Sequence, residues 1–416
     1  MADTIKPQLL KGFRDFLPDE KRRRDFVVKK IIETFELSGF EPLETPTLEY
    51  ASLLLGKYGK EADKLVYSFK DRGERDIALR YDQTVPSARV LSQYQNILPK
   101  YFRRYQIQNV FRADKPQQGR YREFTQCDID IFNSTSNIAD AEIIATTYSA
   151  FKNVGYPKIV ILINDRQTLF KTLEPYINDK VDVFSIIQTV DKLDKIGKSG
   201  VFDELVDKGL SVDKAGEATD AILNAVMSQN LKTIIEYAIK LGVPKESLKF
   251  TPALARGLDY YTGMIFEIML PGYEAGSCGG GGRYDKLIGQ LSGTEIPAVG
   301  VAFGFDRMVE AAKFFKIIPS EYDKKQVLVT IFNEDLLIES LELTNFLRNQ
   351  KITTEIYPSL DKFDKQLKYA DKKNVPYVVI MGPDEKEKKV IKLKDMKTGE
   401  QKILSKEELV KFLNES

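Results

Sequence analysis

Between Tyr101 and Phe132 the chain reads YFRRYQIQNVFRADKPQQGRYREFTQCDIDIF, two runs with a period of two joined by a turn. That period sends successive side chains to opposite faces, so the stretch demands an antiparallel hairpin within a sheet. In the first run Tyr105, Ile107 and Phe111 alternate with Arg104, Gln106, Gln108 and Arg112, which places Arg112 on the polar face. Ala113 to Gly119 contains Pro116 and Gly119, which interrupt the ladder. In the second run the even positions are Arg120, Arg122, Phe124, Gln126, Asp128 and Asp130, whereas the odd ones are largely apolar or small. At about 3.3 Å per residue, Arg120 to Asp130 spans roughly 33 Å. One face thus passes from guanidinium through an aromatic ring to carboxylates. It suits an extended ligand with a polyanion at one end, a flat ring in the middle and a hydrogen-bond donor at the other, such as a nucleotide beside an amino acid. A solvated strand whose charges pair across the ladder shows the same alternation.

Composition narrows the chemistry. The chain has 416 residues, room for two or three domains with their own cores, and its charged (30%) and hydrophobic (43%) fractions are those of a soluble globular protein. A net charge of +1 provides no global basic field, so any RNA contact must come from local patches. Cys127 and Cys278 are far apart and belong to no CxxC pair, which indicates neither a disulfide framework nor a zinc site and fits the reducing cytoplasm. No apolar run is long enough for a membrane span, and the N-terminus has no signal-peptide character. The chain contains no histidine, which removes every mechanism that uses an imidazole of the protein as base, nucleophile or metal ligand.

The stretch FRADKPQQGRYREFTQCDIDIF resembles motif 2 of the class II aminoacyl-tRNA synthetases, in the form found in histidyl-tRNA synthetases. ARGLDYYTG at Ala255 to Gly263 and GGRYD at Gly281 to Asp285 resemble the histidine motifs of that family, and GVAFGFDRM at Gly300 to Met308 resembles motif 3. These motifs stand in the family order and cover nearly the whole chain. The resemblance implies an α+β fold, a class II antiparallel sheet flanked by helices, with a helical insertion and a C-terminal α/β anticodon-binding domain. The corresponding boundaries are a first part of the catalytic core over 1–167, the insertion over 168–245, a second part over 246–318 and the anticodon domain over 325–416.

Other segments fit this frame. A helix is expected from about Asp19 to Ser38, followed by FEPLETPTLEY, whose Pro42 and Pro46 suit an edge or an interface; by position it resembles motif 1, which builds the family's dimer interface. After a strand from Ile77 to Asp82, Thr84 and Pro86 read as an N-cap opening a helix. Four glycines at Gly279 to Gly282 read alone as a loop or as a close approach of backbones. Lysines 386, 388, 389, 392 and 394 are expected in a charged hairpin across Lys386 to Ile403, as a solvated edge or a phosphate contact.

The resemblance also implies roles. Arg112 and Arg256 would be the catalytic arginines at the α-phosphate of ATP, with Arg120 and Arg307 on the outer phosphates. Phe124 would stack on adenine and Asp114 would lie near its amino group. Asp82, Thr84 and Gln126 would hold the ammonium of histidine, Asp130 and Tyr261 would hydrogen-bond its imidazole, and Tyr260 and Arg256 would complete the pocket. Many members of the family have Glu where this chain has Asp82 and Asp130. Magnesium is expected with the phosphates of ATP and no protein metal centre is singled out; the expected partners are histidine tRNA, L-histidine, ATP and a second copy of the chain. Two rivals share the fold: a synthetase-like regulatory subunit of ATP phosphoribosyltransferase, whose members lack the C-terminal domain, and an RNA-binding relic with a dead core.

Overall fold

A computed structural model describes residues 6–56, 63–115, 121–255, 260–293, 295–319 and 326–415. The chain forms two compact units, Met1–Ile318 and Pro319–Ser416. In the first unit, helix α1 (Pro18–Leu37) begins with proline at its first position and Asp19 and Glu20 in its first turn, both favourable where backbone N–H groups are unpaired. Its buried stripe of Phe26, Val27, Ile31 and Phe35 faces the sheet, and Gly39 follows at φ +73°. Strands β1 (Glu41–Pro42), β5 (Arg103–Phe111), β6 (Glu123–Phe132), β7 (Val160–Asp165), β8 (Leu248–Phe250), β9 (Met264–Met269), β10 (Gly279–Arg283) and β11 (Ala298–Phe303) make an eight-stranded sheet of order β1-β5-β6-β11-β10-β9-β7-β8. The expected hairpin is β5–β6, in register from Arg103 opposite Ile131 to Phe111 opposite Glu123.

The period of two divides this sheet into two unlike faces. Odd positions carry the apolar core: Phe303 lies 5.3 Å from the Phe35 ring of α1 and 5.8 Å from Phe151 of helix α3 (Asn137–Val154). Even positions of β5, β6, β11 and β10 line up with odd positions of β9 in rows across the sheet, Gln106–Asp128–Ala302–Gly280–Glu267 and Arg104–Asp130–Gly300–Gly282–Ile265. The polar face is not solvated, since Arg104 and Gln106 are fully buried. It is the inside of a site.

Several sequence expectations change. Motif 1 is split: Pro42 lies in edge strand β1, whereas β2 (Leu48–Tyr50) joins a small sheet of order β2-β4-β3 with β3 (Ser68–Lys70) and β4 (Asp76–Leu79). Thr84 is not the cap of helix α2 (Thr84–Gln93); the Oδ1 of Asp82 accepts from the Val85 N–H at 3.1 Å and closes the first turn. Of the two readings of the glycine run, the close approach of backbones holds: it is a strand, β10, whose neighbours leave no space for side chains. A Cβ on Gly281 would collide with the Gly300 carbonyl, and one on Gly300 with the Asp130 carboxylate.

The region expected as an insertion forms α4 (Arg166–Leu173), α5 (Val183–Val190), α6 (Leu193–Lys208, bent at Gly197), α7 (Val212–Leu223) and α8 (Gln229–Lys240). The 167/168 boundary falls inside α4. Leu169, Ile186, Leu205 and Ile222 share one apolar cluster with Phe102, Phe132 and Tyr284 of the core, and α8 packs on α3. Shared burial ties these helices to the core.

The second unit is a five-stranded sheet of order β13-β12-β14-β15-β16, with β12 (Gln326–Val329), β13 (Thr353–Ile356), β14 (Tyr377–Ile380), β15 (Ile391–Asp395) and β16 (Gln401–Leu404). Helices Leu337–Asn349 and Lys406–Glu415 share one apolar cluster with this sheet, and Phe363–Lys372 contributes to a second. Pro383–Lys388 is a short helix, so Lys386 and Lys388 lie outside the hairpin expected for them. Lys386 pairs with Glu339 and Lys392 with Glu385, which neutralises part of the basic run.

Candidate active site

A cavity of about 700 Å³ opens over the polar face of the large sheet. Its floor can accept a flat ligand because Ala302, Gly280 and Gly300 put almost no side chain between the acidic positions on β6 and Glu267 on β9. Three strand spacings of about 4.8 Å separate Asp128 from Glu267, a trough roughly 14 Å wide.

One end is cationic and aromatic. Arg112 follows β5; its Nε donates to the Tyr81 carbonyl at 3.2 Å, and its guanidinium carbon lies 4.3 Å from the Tyr81 ring centre and 5.3 Å from that of Phe124. A backbone bond and two rings therefore fix the guanidinium before any ligand arrives. Arg307, in the first turn of α9 (Phe305–Phe314), is exposed and donates Nη1 to the Ser277 carbonyl at 2.7 Å. Asp306 beside it is taken up by Arg14, 2.8 Å away, and by Arg24. Arg14 lies 3.3 Å over the ring of Tyr121, a further wall residue. Asp114 also lines the wall, and its backbone carbonyl accepts from Arg122 Nε at 3.1 Å.

The other end is buried and acidic. Asp82, Thr84 and Gln126 are half-buried in the wall, while Asp128 and Asp130 are at least nine-tenths buried. Asp130 Oδ2 lies 2.6 Å from Arg104 Nη2, and its Oδ1 accepts from the Tyr284 hydroxyl. Burial raises the Asp130 carboxyl above its ordinary value, with Arg104 and Tyr284 pulling the other way. Burial likewise lifts the Tyr284 hydroxyl, reinforced by Asp130, so it stays a donor. Tyr261 is buried beside Tyr260, whose ring is 4.4 Å away and is 42% exposed at the rim. In GGRYD, Arg283 turns away from the cavity to bind Asp140 of α3 and Asp285, while Tyr284 enters it.

One cavity therefore collects Arg112, Asp114, Phe124, Arg307, Asp82, Thr84, Gln126, Asp130, Tyr260 and Tyr261. Arg120 and Arg256 lie outside the described residues. Sequence reasoning missed Asp128, Glu267, Tyr81, Tyr121 and Tyr284 as wall residues, and Arg104 as the counter-ion beneath them. Asp128 and Arg104 were legible on the same alternating face as Asp130 and Arg112. Glu267 needed the strand pairing.

With this geometry in view, comparison with known proteins is decisive. The profile of histidyl-tRNA synthetases matches residues 12–308, and that of the anticodon binding domain matches 326–416. The chain belongs to the histidyl-tRNA synthetase family. It is 37% identical to the histidine–tRNA ligase of Christiangramia forsetii, over 96% of this chain and 97% of the relative. It is 38% identical to that of Wolinella succinogenes, over 96% of each. The histidyl-tRNA synthetase of Nostoc sp. PCC 7120 superposes with a TM-score of 0.84 at 30% identity, covering 99% of both chains. A Bacillus halodurans protein described as an ATP phosphoribosyltransferase regulatory subunit/histidyl-tRNA synthetase shares the fold at a TM-score of 0.74, with 22% identity over 89% of this chain and 97% of its own. As a member of the synthetase family, this chain attaches histidine to its tRNA through an aminoacyl-adenylate, using ATP, histidine and tRNA as substrates. Among the described residues, no helix is long and apolar enough to cross a membrane.

Proposed function

We propose that the cavity over β6, β10 and β11 is the adenylation site, with ATP at its arginine end and the histidine side chain at its acidic end. The observation that carries this reading is the shared wall: Arg112, Phe124 and Asp130 line one continuous space over a floor of glycine and alanine. Arg112 and Arg256 contact the α-phosphate, Arg120 and Arg307 the β- and γ-phosphates. Phe124 stacks on adenine and Asp114 faces its amino group. Asp82, Thr84 and Gln126 hold the ammonium, while Asp130, Tyr260, Tyr261 and Arg256 surround the remainder of histidine.

Adenylation needs no general base. With a pKa near 3.5, the carboxylate of histidine is already ionised at neutral pH. One of its oxygens attacks the α-phosphorus, the bond to the bridging oxygen breaks, and pyrophosphate leaves. The hydroxyl at the tRNA 3′ end then attacks the carbonyl carbon, gives its proton to a phosphate oxygen of the adenylate, and AMP departs as the acyl–phosphate bond breaks. What the protein supplies is position and positive charge where the phosphate oxygens gather negative charge. A chain without histidine can do this entirely with arginines.

Magnesium bound with ATP would supply further charge neutralisation at the outer phosphates, and the acidic wall residue Glu267 would help to hold it there. The second unit reads the anticodon. The chain works in the cytoplasm, checked by fractionation beside a cytosolic marker, and as a homodimer through the region of motif 1, where Leu48, Tyr50 and Phe69 are exposed on the small sheet. Sedimentation equilibrium at micromolar concentration should give twice the chain mass; a single-chain mass refutes the dimer.

Histidine-dependent exchange of pyrophosphate into ATP tests the whole assignment. Exchange should require histidine and magnesium and vanish with other amino acids. A protein that binds both substrates without exchanging pyrophosphate is a regulatory subunit or a relic.

A further inference from the structure

Asp128 lies in the middle of the acidic wall, is 3% exposed, and has no place in the assignments above. Its two oxygens differ. Oδ2 accepts from Gln126 Nε2 at 3.0 Å, whereas Oδ1 has no hydrogen-bond partner. Asp130 differs: its Oδ1 accepts from the Tyr284 hydroxyl, and its Oδ2, also without a hydrogen bond, is balanced by the Arg104 guanidinium 2.6 Å away. An orphaned carboxylate oxygen inside a protein is costly unless a ligand completes it.

Burial along the cavity says which part of the ligand can reach that oxygen. Arg112, Asp82, Thr84, Phe124 and Gln126 are half-buried, while Asp128, Asp130 and Tyr284 are buried. The reacting carboxylate of the amino acid must lie near the half-open phosphate end, so its side chain enters the buried end. On the adenylation-site reading, we infer that Asp128 is a specificity-determining residue whose Oδ1 accepts a hydrogen bond from the imidazole N–H of histidine. The selectivity has a physical basis, because an analogue of the same shape without that N–H leaves a buried acceptor unpaired.

The arrangement strains the unliganded protein. Burial holds the Asp128 carboxyl well above its ordinary value, Arg104 opposes this, and Asp130 and Asp82 reinforce it. An acid whose folded pKa is raised costs stability as pH climbs above its unfolded value, so an amide of the same shape should relieve that cost.

The test compares histidine with β-(2-thienyl)alanine, which keeps the ammonium and ring shape but lacks the N–H, in wild type and Asp128→Asn. We expect KM for histidine to rise at least about tenfold, with KM for ATP unchanged. The ratio of the thienylalanine inhibition constant to the histidine KM should fall by a similar factor, and the melting temperature of the unliganded protein should rise by about 2 °C. Equal weakening of histidine and thienylalanine assigns Asp128 to the ammonium or to packing and overturns the inference; so does an unchanged KM for histidine. Asp128→Ser repeats the measurement if the amide variant does not fold. In parallel, Asp82→Asn should weaken both ligands equally. If both variants leave both ligands untouched, the cavity assignment falls and this inference with it.

Discussion

Arg104→Met should destabilise the first unit by about 3–5 kcal/mol, the range expected when one partner of a buried ion pair is removed and the other remains. Arg104 is completely buried and sits against Asp130, with Asp128 close enough to feel its charge. Its nitrogens contact Asp130 as an ion pair without hydrogen-bond geometry, so the interaction is mainly charge balance. Without the guanidinium, Asp128 and Asp130 must be buried charged or take up protons. Both carboxyls already stand above their ordinary values because of burial. The cost of burying them is absent below the unfolded value near 3.9 and grows as pH rises towards the folded one. The deficit of Arg104→Met relative to wild type should therefore be largest at neutral pH and shrink on acidification towards pH 4. Urea unfolding at several pH values measures it; a deficit below about 1 kcal/mol at pH 7 would show that the pair contributes little.

Arg112→Ala should lower histidine-dependent pyrophosphate exchange at least about a hundredfold, roughly 2.7 kcal/mol of transition-state stabilisation. The Tyr81 carbonyl and the Tyr81 and Phe124 rings hold the guanidinium in place, so no reorganisation is needed as charge develops on the phosphate. Arg112→Lys keeps the charge but loses the planar fork and the Nε bond, and should recover only part of the rate. Stability should change little, since Arg112 is half-buried and makes no ion pair among the described residues. Activity within threefold of wild type in Arg112→Ala would remove it from the mechanism.

Much of the site was legible because it lies along one strand. The alternation from Phe124 to Asp130 describes one side of β6, and the structure places all four even residues in one cavity. Legibility failed where partners come from elsewhere in the chain. Glu267 joins the wall only because β9 pairs with β10, and Tyr284 reaches Asp130 from 154 residues away. The glycine run left a loop and a close approach of backbones open because glycine has poor strand propensity; crowding by the Gly300 carbonyl and the Met264 backbone makes it a central strand. Asp82 closes the helix in place of Thr84 because both can cap, and only the backbone path decides which side chain reaches the Val85 N–H. The helical region looked separable because its polar faces dominate the sequence, whereas its burial is shared with Phe102, Phe132 and Tyr284.

From the residues alone came the hairpin, the two-sided character of β6, the order of the motifs and the exclusion of imidazole chemistry by a chain without histidine. These depend on spacing and composition, which need no knowledge of distant contacts. The tertiary structure alone decided that the polar face is enclosed, that Arg104 balances Asp130 beneath it, and that Asp128 keeps an unpaired oxygen there. A period of two tells which residues share a face; only the packing of remote segments over that face tells whether it meets water or a ligand.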